Sequence, residues 1–147
     1  MADRALVSAE EEKRISRYMM VWVNSYPRIP ELVSKINFEQ LQADEPGMAL
    51  STIQAASILK RYITGGHLGE YQFKLIYRIK PGTSNDARLK AAEWLDGFGE
   101  WAADNLPNLG DIAVKRVEAT ARASLFGAYE NGDEDYQILM RMTYEVI

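Results

Sequence analysis

Residues 71–80 read YQFKLIYRIK: Tyr71, Phe73, Leu75, Tyr77 and Ile79 alternate with Gln72, Lys74, Ile76, Arg78 and Lys80. A strand turns successive side chains to opposite faces, so this period of two predicts a strand with one buried face. Upstream, Ile36 to Leu41, Ala49 to Ala56 and Leu59 to Ile63 are shorter strand candidates. Asp44-Glu45-Pro46-Gly47 separates the first two, and Thr64-Gly65-Gly66-His67-Leu68-Gly69 leads into the long strand as a flexible turn. Connections this short imply antiparallel neighbours. The stretch from Ala49 to Ala56 keeps two readings, because Ile53, Ala56 and Leu59 also stand at helical spacing.

A helix is predicted on each side of this block. Ser8-Ala9-Glu10-Glu11 has the pattern of a capping box, with the Ser8 hydroxyl accepting from an early backbone N–H and Glu11 reaching back to the cap. Ile15, Tyr18, Met19, Trp22, Val23 and Tyr26 then fall on one helical stripe, which Pro27 and Pro30 close. The acidic first turn, Glu10 to Glu12, suits the positive end of the helix dipole. Ser84 or Asn85 caps the second helix, whose apolar side is Ala87, Ala91, Trp94, Leu95, Phe98, Trp101 and Ala102, up to Asn105-Leu106-Pro107. Gly97 and Gly99 weaken it by roughly 1 kcal/mol each and leave room for a close approach to a sheet.

Ile112 to Ala119, Arg122 to Tyr129 and Tyr136 to Ile147 complete the strand candidates. Asn131-Gly132 with Asp133-Glu134-Asp135 forms a hairpin loop between the last two. The sequence shows no internal repeat and no low-complexity linker. Helix, strands, helix, strands, each with one apolar side, predict a single α+β domain over residues 1–147. Its core is an antiparallel or mixed β-sheet with two amphipathic helices packed on one face.

Composition narrows the function classes. A chain of 147 residues with 47% apolar side chains hides roughly 68–70% of its unfolded surface in one core. The absence of cysteine excludes disulfides, thiol catalysis and iron–sulfur or Cys-based zinc sites. No apolar run approaches the roughly 20 residues of a membrane helix, and Met1-Ala2-Asp3-Arg4 does not open a secretory leader, so the expected home is the cytoplasm. The net charge of −4 is uneven: residues 1–35 and 36–83 carry +1 each, whereas 84–110 and 111–147 carry −3 each. No segment supplies the basic face that nucleic-acid binding needs.

Searching for chemistry returns little. His67 is the only imidazole; it sits among glycines without a nucleophile elbow and reads as a hairpin-tip residue facing water or a neighbouring subunit. The glycines around it lack the Lys-Ser/Thr of a phosphate-binding loop, and a strand follows rather than a helix. Glu130, Asp133, Glu134 and Asp135 lack the ligand spacing of a calcium loop and read as a solvated hairpin. Trp22, Trp94, Trp101 and Phe98 read as helix-to-sheet core, and Met140 and Met142 as packing beside Tyr136 and Tyr144. A ligand-enclosing cavity near Trp94 and Phe98, or an enzyme built on His67 with acidic partners, are the rival classes to an assembly protein.

The run NDARLKAAEWL at residues 85–95, after a long strand, and AYENGDEDYQ at 128–137, before a final one, resemble the tail terminator and minor capsid proteins of long-tailed phages. The resemblance implies a non-enzymatic structural protein without a cofactor, found at the head-proximal end of the tail in the virion and in the host cytoplasm during assembly. It implies a ring of identical subunits, a hexamer in that family, which caps the tail tube protein and docks onto the head connector protein. Genomic DNA would pass through without specific binding, and an acidic lumen would favour that passage. Another head–tail junction component is the nearest alternative. The interface candidates are the turns holding Asp44 and Glu45, Gly65, Gly66, His67 and Leu68, and Glu130, Asp133, Glu134 and Asp135, which are expected to order on contact with ring neighbours or tube.

Overall fold

The computed structural model describes residues 5–41, 47–80, 82 and 84–147; Asp44 and Glu45 lie outside them. The chain is an α+β domain with element order α1 (Ala9–Val23), a short 3-10 turn (Ile29–Glu31), β1 (Asn37–Phe38), β2 (Gly47–Thr52), β3 (Ser57–Arg61), β4 (His67–Ile79), α2 (Asn85–Asp104), β5 (Ala113–Ala119), β6 (Ser124–Ala128) and β7 (Glu134–Val146).

Seven strands form one mixed sheet in the order β1-β2-β4-β7-β5, with β3 beside β4 and β6 beside β7. The central pair, β4 and β7, runs antiparallel from His67 opposite Val146 to Ile79 opposite Glu134. On the outer side of β4, β2 covers Phe73 to Arg78 and β3 covers His67 to Glu70. On the outer side of β7, β5 covers Met140 to Glu145 and β6 covers Glu134 to Gln137. A helix followed by a long, interrupted hairpin therefore occurs twice, although the sequence itself does not repeat.

The alternation predicted for the long strand is present, and it extends further. Tyr71, Phe73, Leu75, Tyr77 and Ile79 are buried, as are Tyr136, Ile138, Met140, Met142 and Tyr144 on the facing strand. Both helices lie on that face. Trp22 of α1 meets the Phe73 ring edge-on at 6.3 Å. A Cβ on Gly99 of α2 would stand 3.0 Å from Ile138 Cδ1 and 3.5 Å from Ala119 Cβ, so the missing side chain lets α2 sit close on the sheet. Gly97 instead faces Arg28 and Tyr26. Trp22, Tyr26, Trp94, Phe98 and Trp101 pack ring on ring with centroids 5.0–6.0 Å apart. Their polar atoms are placed too: Trp22 Nε1 donates to Asn105 O and Trp94 Nε1 to Arg28 O. These rings fill the space between helices and sheet.

Several local expectations change. Ser8 caps α1 as predicted, its hydroxyl accepting from Glu11 N, but the Glu11 carboxylate turns to the sheet instead of back to the cap. Tyr18 is 38% exposed and stands off the buried stripe. The helix stops at Val23, before either proline, because Asn24 takes over: its Nδ2 donates to Met20 O and Ile36 O, and its Oδ1 accepts from Ile36 N. The strand expected over Ile36 to Leu41 shrinks to β1, which pairs in parallel with β2. Glu39 has φ +58°, a left-handed conformation that turns the chain off its extended path after Phe38. Residues 49–52 are strand, and the helical alternative is not adopted.

Tyr71 joins the two layers. Its hydroxyl lies 2.8 Å from Ser16 Oγ, and burial pushes its phenol up from 10.0 to about 12. The neutral phenol's contribution to stability is fully present below pH 10 and is lost as pH rises to about 12. That loss should amount to roughly 2–3 kcal/mol. Denaturant titrations from neutral to alkaline pH check it: the decline should be shallower in Tyr71→Phe, and an unchanged slope would refute the assignment.

Candidate functional site

The interface candidates fall into two groups at opposite ends of the sheet. The register sets His67 against Val146 at one end and Ile79 against Glu134 at the other, so the glycine turn and the acidic hairpin do not form one surface.

At the first end the turn is shorter than predicted. Tyr62 N donates to Gly66 O and Gly65 N to Tyr62 O, which closes the hairpin by residue 66. His67, Leu68 and Gly69 already belong to β4. Gly65 is exposed, Gly66 is buried and Leu68 is partly covered. His67 does not face open water, because its side chain is only 14% exposed and Nε2 lies 3.0 Å from Glu11 Oε2. The Tyr144 hydroxyl donates to the same oxygen at 2.7 Å. Burial, then the bond to Glu11, raises the Tyr144 phenol far above its ordinary range. Beside them Tyr62 donates to Glu145 at 2.6 Å. The cluster ties the start of α1 to the ends of β4 and β7, and its Tyr144 is fully buried.

Gly69 is what permits this. A Cβ there would overlap the hydroxyl end of the Tyr144 ring. Gly69→Ala should therefore cost about 1–3 kcal/mol as overpacking and displace Tyr144 from Glu11. Chemical denaturation measures the loss, and a change under about 0.5 kcal/mol would show that the ring moves freely.

At the second end the acidic hairpin is not solvated. Asp133 is 3% exposed and Asp135 1%. Arg78, directly across on β4, donates from Nε and Nη2 to the two Asp135 oxygens at 2.7 and 2.8 Å, and Tyr129 donates to Oδ2 at 2.7 Å. These bonds, Asp135 first, hold the Arg78 guanidinium above the ordinary arginine range. Arg88 of α2 donates to Glu134 at 2.9 Å, and this pairing keeps the Glu134 carboxyl below its usual range. Asp133 lies 3.5 Å from Lys80 and accepts from Asn131. Of the predicted group only Glu130 is left exposed. A carboxylate buried without a partner is costly, so pairing rather than hydration explains this run.

The surface that periodicity missed is the outer edge of β6. Ser124–Ala128 is uncharged, pairs on one side with β7, and leaves Leu125 and Phe126 51% and 44% exposed. Such an edge is a template for another strand, and natural proteins usually blunt it with charge or proline. An irregular step in register between Leu125 and Gly127 sets Phe126 over Lys74, with the ammonium 5.0 Å from the ring centre.

Among the described residues no group of three or more His, Asp or Glu side chains is placed to hold a metal ion, and no helix is long and apolar enough to cross a membrane. No protein-family model matches the chain, and neither does any curated protein.

Proposed function

We propose that this chain is a structural subunit of a long-tailed phage, a tail terminator that closes into a ring, caps the tail tube protein and meets the head connector protein. It acts through shape, with no bond made or broken, and the genome passes through the ring without sequence-specific contact. The observation that carries this reading is the apolar, uncharged edge of β6 beside a well-packed core. An edge of that kind in a stable domain is suited to receive a neighbour. The resemblance of residues 85–95 and 128–137 to the tail terminators supplies the class of assembly. The two ionic clusters at the ends of the sheet support a rigid block, as repeated docking between copies requires.

Electron microscopy of particles assembled without this protein tests the reading. The expected result is headless tails of irregular length, restored by adding the purified chain, which on its own shows rings. Tails of normal length joined to heads would overturn it.

A further inference from the structure

The uneven charge of the sequence becomes a spatial feature in the fold. The strands of the weakly basic part of the chain, β1–β4, lie on one side of the sheet and those of the acidic part, β5–β7, on the other; α1 borders β1–β2 and α2 packs on β5 and β7. On the first flank an open groove of about 450 Å³ runs between α1 and β1–β2, lined by Lys13, Arg17, Met20 and Phe38. Lys13 and Arg17 are one helical turn apart, both exposed and without an ion pair among the described residues. Lys60 and Arg61 stand exposed on β3 along the same side. Glu12 and Glu39 also line this groove and balance its two cations, Glu12 accepting from Ala56 N, so the positive excess of this flank comes from Lys60 and Arg61 on β3.

On the other flank a groove of about 480 Å³ runs between α2 and β5, floored by Gly99, Ala119 and Ile138. Its helical wall carries Asp96 and Glu100, continued by Glu93 and Asp104 at the spacing of one helix face. Asp96 holds Ala123 N, whereas Glu93, Glu100 and Asp104 are exposed and have no ion pair among the described residues. Arg122 on this rim is basic, and on β5 the exposed Lys115 and Arg116 are paired with Glu145 and Glu118. The apolar edge of β6 continues the same flank.

We propose that these two flanks are the two halves of one head-to-tail contact between copies of this chain: the basic α1/β1–β3 flank of one copy meets the acidic α2/β5–β6 flank of the next. The occupant of each groove is a second copy. Opposite charge on two different surfaces of the same subunit favours a heterologous contact over a two-fold one, since a two-fold contact would set each flank against its own sign. Phe38 and Met20 on one side, and Leu125 on the other, supply apolar area beside the charged rims. This deepens the ring reading by naming the surfaces that would close it, and it rests on that reading for the number of copies alone.

Charge exchange tests it, with sedimentation velocity and native mass spectrometry of the full chain. The parent's self-association should weaken about tenfold or more as NaCl rises from about 50 mM to about 500 mM. Lys13→Glu with Arg17→Glu should abolish assembly, and so should Glu93→Lys with Glu100→Lys, while circular dichroism shows both variants folded. Mixing the two variants should restore oligomers in which they alternate, because each reversed flank then faces its complement. A parent that is monomeric at low salt would overturn the proposal. So would variants that assemble like the parent, or a mixture that stays monomeric. Restored alternating oligomers from a chain that leaves tail length untouched would uphold this contact and remove only the phage reading.

Discussion

Replacing Arg78 by Ala should lower the unfolding free energy by about 3–5 kcal/mol, the cost of stranding a buried carboxylate. Asp135 is almost wholly enclosed and takes two bonds from Arg78. The remaining bond from Tyr129 donates one hydrogen and no compensating charge. The side chains sit directly opposite each other on the two central strands, one pair from the end of their ladder. Equilibrium denaturation checks the value, and the paired replacement Arg78→Met with Asp135→Leu separates two explanations. If the damage comes from the unpaired charge, the double variant should recover most of the stability, since well-packed apolar side chains often replace a buried ion pair without loss. A single variant that loses less than about 1 kcal/mol would mean that water reaches Asp135 and the pair is ornamental.

The second large effect concerns association. Ser124→Lys with Leu125→Lys should weaken self-association by about 100-fold, equivalent to some 2.8 kcal/mol, because lysine on an edge strand blocks a further strand from adding. Both positions are exposed, so the isolated fold should lose no more than about 1 kcal/mol. Sedimentation equilibrium and thermal unfolding on the same sample check both halves. Equal association in parent and variant would show that β6 is not a contact surface.

What could be read from the sequence, and what could not, divides by the range of the interaction. The long strand was readable because burial of one face repeats every second residue, as Tyr71 to Ile79 display. Ser8 and Ser84 were readable as caps because a cap bonds within its own turn. The acidic run at 133–135 reads as solvated in the sequence because a paired and a hydrated carboxylate look alike in composition. Its partners Arg78 and Arg88 are 46 to 57 positions away. The same holds for His67: neighbouring glycines suggest a tip, while Glu11, which holds it, is 56 positions upstream. β6 is legible as a strand, but nothing in its own residues tells an edge from a centre. That distinction depends on which strands arrive beside it. The left-handed Glu39 that ends β1 carries no glycine to announce it.

The central pairing of β4 with β7 has a further consequence, for the time the chain takes to fold. Even the closest pair along this seam, Ile79 with Glu134, is separated by about 55 positions, whereas each hairpin closes across a turn of a few residues. Contacts so distant in the chain are entropically slow to form. Each helix-and-hairpin half can gather early, and the meeting of the two halves along β4 and β7 is the step expected to limit the rate. Until then two long, apolar strand edges stand open at once, which makes a newly made chain most prone to aggregate just before it becomes a rigid subunit.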